Sequence, residues 1–255
     1  MSRSYEVKLD RADQHLQSLI DEIARWKLTN PYAISHEIDS ETGDDVVRFN
    51  RIDQPPRLIA QLIGDCLHNL RCVLDHLVYD LAIANRGTLT DEESRETMFP
   101  IFISPDGFNA RGLRRIRYVS LAVQTIIQSL QPYHTGDAAI THWLWLLEQL
   151  QNIDKHRALL LAVSAQHGVD ATFPPLCRIQ YIQFRSADLS IPNAEFARYR
   201  VVSTQDGARM KMDAKPIIDI TINNRPAQGR EIVDLLKRIR LHIIDAVLPV
   251  LSVLL

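Results

Sequence analysis

The stretch between Pro56 and Asn85 constrains this chain more than any other. Ile63, Leu67, Leu70, Leu74, Leu77, Val78 and Leu81 recur every three or four residues, the spacing that lines one face of an α-helix. Pro55-Pro56 ahead of them and Asn85-Arg86-Gly87 behind them supply start and stop signals. The spacing therefore predicts a helix over about 56–85, and an aliphatic face of that length has to be buried against other helices.

The opposite side of this helix is unusual. At about 100° per residue, Asp65, Asn69, Cys72, His76 and Tyr79 fall in an arc of roughly 80°, with His68 and Asp75 beside them and Arg71 at the edge. With Asp80 added, the polar positions contain His, Asp, Asn, Arg and Cys but no Lys, Glu or Gln. Asp and Asn are mediocre helix formers and poor filler for a wet face. The stripe reads as a chemical site, a buried hydrogen-bond network or an ordinary solvated face.

The remaining elements follow from periodicity. Val7, Leu9, Leu16, Leu19, Ile20 and Ile23 predict a first helix near 4–28. Two β-like runs around Glu41-Thr42-Gly43-Asp44 predict a hairpin over about 32–52. Residues 87–117 look irregular and carry the basic cluster Arg111, Arg114, Arg115 and Arg117, which can bind phosphates or simply be solvated. A short helix is expected at about 118–131 and a long one at about 137–166, then three or four antiparallel strands within 176–223, and a helix over about 227–252. The expected class is α+β, mostly α: a bundle of four long helices in one domain, with the N-terminal hairpin and the C-terminal strand segment packed on it.

Composition narrows the function classes. The 29 basic and 31 acidic side chains nearly cancel, so a nucleic acid would have to be held by a local patch, not by bulk charge. Cys66, Cys72 and Cys177 are odd in number and show no metal-type pairing, which fits a reducing cytoplasm. The N-terminal MSRSYEVKLDRADQHL has no apolar signal core. The C-terminal LHIIDAVLPVLSVLL is shorter than the roughly 20 residues of a membrane span, so a buried helix and no membrane partner are expected. Gly-rich phosphate loops, Gly-x-Ser-x-Gly elbows and His-Glu-x-x-His helices are absent.

The helix expected over 137–166 carries a second polar stripe, with Glu148, Asn152 and Lys155 on one face and Gln151 and His156 on its flanks. If the two stripes share a groove, Asp65, His68, Asn69, Asp75, Glu148, Asn152 and His156 support a site, with Asp154, Arg157 and Arg71 as orienting partners. A fixed guanidinium at Arg71 can hold a phosphate, and an imidazole at His76 can move a proton, a minimal metal-free pair for RNA cleavage. Asp65-x-x-His68 also echoes the carboxylate-x-x-His pairing of di-metal bundles, with Glu148 and His156 as further ligands.

RCVLDH, from Arg71 to His76, resembles the HEPN superfamily, in which an Arg is followed after four to six residues by a His on a helix of a compact bundle. The resemblance implies a metal-independent ribonuclease or RNA-binding component of a toxin–antitoxin or defence system, needing no cofactor. It assigns Arg71 to the phosphate and His76 to proton transfer. It further implies a homodimer with a composite site, and an antitoxin or other protein partner. The competing class is a non-catalytic helical interaction protein whose polar stripes form a buried network.

Overall fold

The computed structural model describes residues 3–165, 169–185, 187–188, 193–211 and 213–255. It is 54% helix and 21% strand, α+β and mostly α. The chain divides into two compact units. The helical unit comprises the residues up to Glu22, Arg57–Leu160 and Asn223–Leu255; the strand unit comprises Ile23–Pro56 and Leu161–Ile222. Neither unit is a continuous segment, so no Gly/Ser-rich linker marks the division.

The helical unit is built from α1 (Ser4–Leu28, its last residues belonging to the strand unit), α2 (Arg57–Arg86), α3 (Asp91–Glu96), α4 (Pro105–Gly107), α5 (Leu113–Arg115), α6 (Leu121–Ser129), α7 (Trp143–His156), α8 (Ile232–His242) and α9 (Leu248–Leu251). A π-helical turn, Phe108–Gly112, joins α4 to α5, and another, Ile243–Val247, joins α8 to α9. Helix α2 packs on α7 and α8, and Leu67, Leu70, Leu74, Leu77, Leu144, Leu147, Leu150, Leu235 and Ile239 form the core between them. It ends as its sequence implies, with Gly87 at φ +85° and its N–H bonded to the Ile83 carbonyl. α1 runs antiparallel to α2: Ser4 meets His76, the Cys66 thiol points at the Ala12 carbonyl, and His15 lies near Asp65.

The expected 137–166 helix is shorter than its apolar periodicity implies. Residues 132–141 form a 3₁₀ segment, α7 covers only Trp143–His156, and Arg157 turns extended at φ −164°. Leu161–Ala165 is then strand β3. The run LLLAV is uniformly apolar, a pattern that cannot separate a buried helix from a buried strand.

The strand unit holds β1 (Tyr32–Ile38), β2 (Asp45–Ile52), β3, β4 (Val169–Thr172), β5 (Cys177–Phe184), β6 (Ala187–Asp188), β7 (Glu195–Ser203), β8 (Arg209–Met210), β9 (Asp213–Pro216) and β10 (Asp219–Ile222). The expected hairpin does not stand alone. Its second strand pairs with β7, giving an antiparallel order β1-β2-β7-β5 with β8 also on β7. Strands β10-β3-β6 and β4-β9 pair separately. Phe49 and Phe196 pack in the core of this unit with ring centres 4.6 Å apart and planes tilted by 41°. Its arginines are largely matched: Arg198 with Asp39 at 2.7 Å, Arg209 with Asp45 at 2.9 Å. Among the described residues no helix is long and apolar enough to cross a membrane.

A histidine pair caps α7. The His142 Nδ1 accepts the Leu144 N–H at 3.3 Å, and its ring meets that of His242 edge-on at 4.8 Å. Among the described residues the buried His242 Nε2 has no hydrogen-bond partner. Burial lowers both imidazoles, His142 to about 4 with His242 adding to the effect. An unfolded histidine titrates near 6.5. Between that value and about 4 the unfolded chain therefore binds more protons, and stability falls as the pH falls through this window. Urea midpoints are expected to drop from pH 7 to pH 5 and to drop less in His142→Asn/His242→Leu, where the Asn keeps a cap. An unchanged drop in that variant would remove the pair as its cause.

Candidate functional site

Arg71 does not face the same way as His76. It is 5% exposed, and its Nη2 donates to the Phe99 carbonyl at 2.6 Å and lies 3.0 Å from Asp75 Oδ1. Its Nε is 3.6 Å from Glu148 on α7. Asp75 accepts the Phe99 N–H at 2.9 Å, so both main-chain groups of Phe99 are fixed by α2. Burial raises the Asp75 carboxyl, with Arg71 and the Phe99 amide opposing it. The guanidinium expected to grip phosphate is spent on internal partners.

His76 is half-buried, with Nδ1 2.5 Å from the Ser4 hydroxyl. Burial lowers its pKa, and Lys8 lowers it further against Asp75 and Asp80. The two residues are about 140° apart around the helix. Asp75 lies close enough to be influenced by both Arg71 and His76.

The supporting residues scatter. Asn69 is buried and bonds back to the Asp65 carbonyl at 2.8 Å. His68 is exposed, 3.5 Å from the Cys72 sulfur, and burial raises that thiol above its usual range. Asn152 and His156 are exposed and take no part in the Arg71 network. Asp154 closes on Gly64 so tightly that a Cβ there would sit 2.5 Å from its carboxylate. Among the described residues no group of three or more His, Cys, Asp or Glu could hold a metal, and Glu148, one of the ligands considered, is committed to Arg71.

What Arg71 and Asp75 hold in place is the segment Phe99–Phe102. Its far end is fixed by Gln131, almost fully buried, whose Oε1 accepts the Phe102 N–H at 3.0 Å while Nε2 donates to the Pro100 carbonyl at 2.8 Å. Phe102 packs edge-on against Phe108, and Phe108 against Tyr133. The guanidinium of Arg111 lies 5.4 Å from the Phe102 ring centre and that of Arg115 5.7 Å, both within cation–π range. The local sequence supports this. Ser104 caps α4 by accepting the Gly107 N–H, and Gly112 lets the π turn approach the rings, since a Cβ would lie 2.8 Å from Phe108.

The outcome is a cavity of about 340 Å³ lined by Arg95, Arg111, Arg114 and Arg115, with Glu96, Met98 and Ala110. Glu96 is clasped by Arg114 and Arg117, which hold its carboxyl below the usual range, the Arg114 hydrogen bond contributing most. Arg115 is half-buried, and burial lowers its pKa despite nearby Glu148. Of the four arginines of the expected basic patch, three line this cavity. Arg117 does not; it is spent on Glu96 and the Tyr118 hydroxyl. Arg95 and the Phe102 platform are additions that the sequence signalled only as a basic residue and an aromatic near a basic run. No family model matches the chain, and neither a curated protein nor a solved structure matches it.

Proposed function

We propose that this chain is a HEPN-like RNA-binding protein that holds RNA phosphates in the arginine cavity. One observation carries the reading: four guanidiniums converge on a single cavity whose lining includes one carboxylate, already clasped. Planar guanidiniums are suited to phosphate oxygens, and two of these are pre-set on an aromatic ring. In this reading Arg71 is a positioning residue. It fixes Phe99, and through the Phe99–Phe102 segment it fixes the platform under Arg111 and Arg115.

The test is binding of single-stranded RNA at fixed salt, followed by fluorescence anisotropy, with RNA integrity checked on gels. Removing a charge-assisted contact costs about 1.5–3 kcal/mol, so Arg111→Ala and Arg115→Ala are each expected to weaken binding by roughly 10- to 100-fold. Wild-type affinity in both variants would refute the proposal. The ribonuclease reading of the HEPN resemblance rests on His76, half-buried beside Ser4 and near Lys8. Cleavage by the wild type that is lost in His76→Ala would favour it.

A further inference from the structure

The arginine cavity holds more positive charge than its surroundings balance. Four guanidiniums, those of Arg95, Arg111, Arg114 and Arg115, line the cavity against the single carboxylate of Glu96, which Arg117 also pairs from outside it. Glu93, the next carboxylate along α3, is taken by Arg86 at 2.8 Å. Among the described residues neither Arg95 nor Arg111 has a carboxylate partner. The buried Nη1 of Arg71 has no hydrogen-bond partner either.

That surplus of three charges is more than one internal phosphodiester, with its single negative charge, neutralises. A phosphomonoester carries about −1.5 to −2 near neutral pH and has three acceptor oxygens. The size points the same way: a volume of about 340 Å³ is near the lower end of small-ligand sites, roughly 300–1,000 Å³. It has room for a phosphate and the sugar behind it, with Met98 and Ala110 as apolar wall. We infer that the cavity takes a phosphomonoester, the terminal phosphate of an RNA strand, in preference to phosphates within the chain. This rests on the RNA-binding reading above.

The test uses the full chain and one RNA sequence in three forms, 5′-phosphorylated, 3′-phosphorylated and hydroxyl at both ends, with AMP and inorganic phosphate as competitors. At least one phosphorylated form is expected to bind about tenfold or more tightly than the hydroxyl form. The preference should disappear in Arg115→Ala and in Arg111→Ala and Arg95→Ala, whose exposed side chains can be removed without opening the core, thermal unfolding serving as the check on folding. Equal affinity for all three RNAs, with the arginine variants still weakened, overturns the inference and leaves the RNA reading standing. No binding of any RNA overturns both. Competition by AMP at concentrations matching the affinity of the phosphorylated RNA supports the phosphomonoester but assigns it to a free nucleotide, and competition by phosphate alone does the same for the inorganic anion.

Discussion

Arg71→Ala is expected to destabilise the helical unit by about 3–5 kcal/mol, the range for breaking a buried ion pair from one side. The side chain is 5% exposed and is shared between Asp75 and Glu148 while donating to the Phe99 carbonyl. Its loss leaves the carboxylates of Asp75 and Glu148 without their shared cation, and the Phe99 carbonyl without its donor. For a unit of this size each kcal/mol moves the melting temperature by about 2–4 °C, so a fall of roughly 6–20 °C is expected in a thermal scan. Arg71→Lys keeps the charge but not the planar fork, and should fall between the wild type and Arg71→Ala. A melting temperature within a degree or two of wild type in Arg71→Ala would show that the network does not hold the segment.

Phe108→Ala should have an effect of similar size for a different reason. The ring is fully buried, 6.2 Å from Phe102 and 6.1 Å from Tyr133, edge-on to both. Truncating a buried Phe costs about 3–5 kcal/mol, because a cavity is left where neighbours cannot fully collapse. The consequence reaches beyond stability. Phe102 loses the ring it leans on, so Arg111 and Arg115 lose a fixed platform. RNA affinity should therefore drop at temperatures where the variant is still folded, although Phe108 lines no part of the cavity. Phe108→Leu, which refills much of the volume, should recover most of both. Reduced stability with unchanged RNA affinity in Phe108→Ala would uncouple the platform from the site.

Local signals carried most of the fold. The periodicity of Val7 to Ile23 matches α1 over Ser4–Leu28, and the Gly43 turn, at φ +73°, closes the expected hairpin. What the sequence could not show depends on distant partners. The pairing of β2 with β7 joins residues about 150 positions apart, and the strand that follows α7 is entered through an unbroken apolar run, residues 159–163, that hides its period. The site was legible in the same uneven way. Arg111, Arg114 and Arg115 are adjacent on one short helical segment, so their clustering is written in the chain. The direction taken by Arg71 is not, because the Phe99 carbonyl that captures it lies 28 residues further on. The polar stripe of α2 is composed as it is partly because two of its members, Arg71 and Asp75, brace an irregular segment instead of meeting solvent.

The salt dependence of RNA affinity tests the arginine cavity most directly. Each phosphate contact on a single strand contributes about −0.7 to the slope of log affinity against log salt. Removing Arg111 or Arg95 should make the slope shallower by roughly that amount while lowering affinity for all sequences alike. Slopes and affinities identical to wild type in both variants would contradict the assignment of this cavity to RNA.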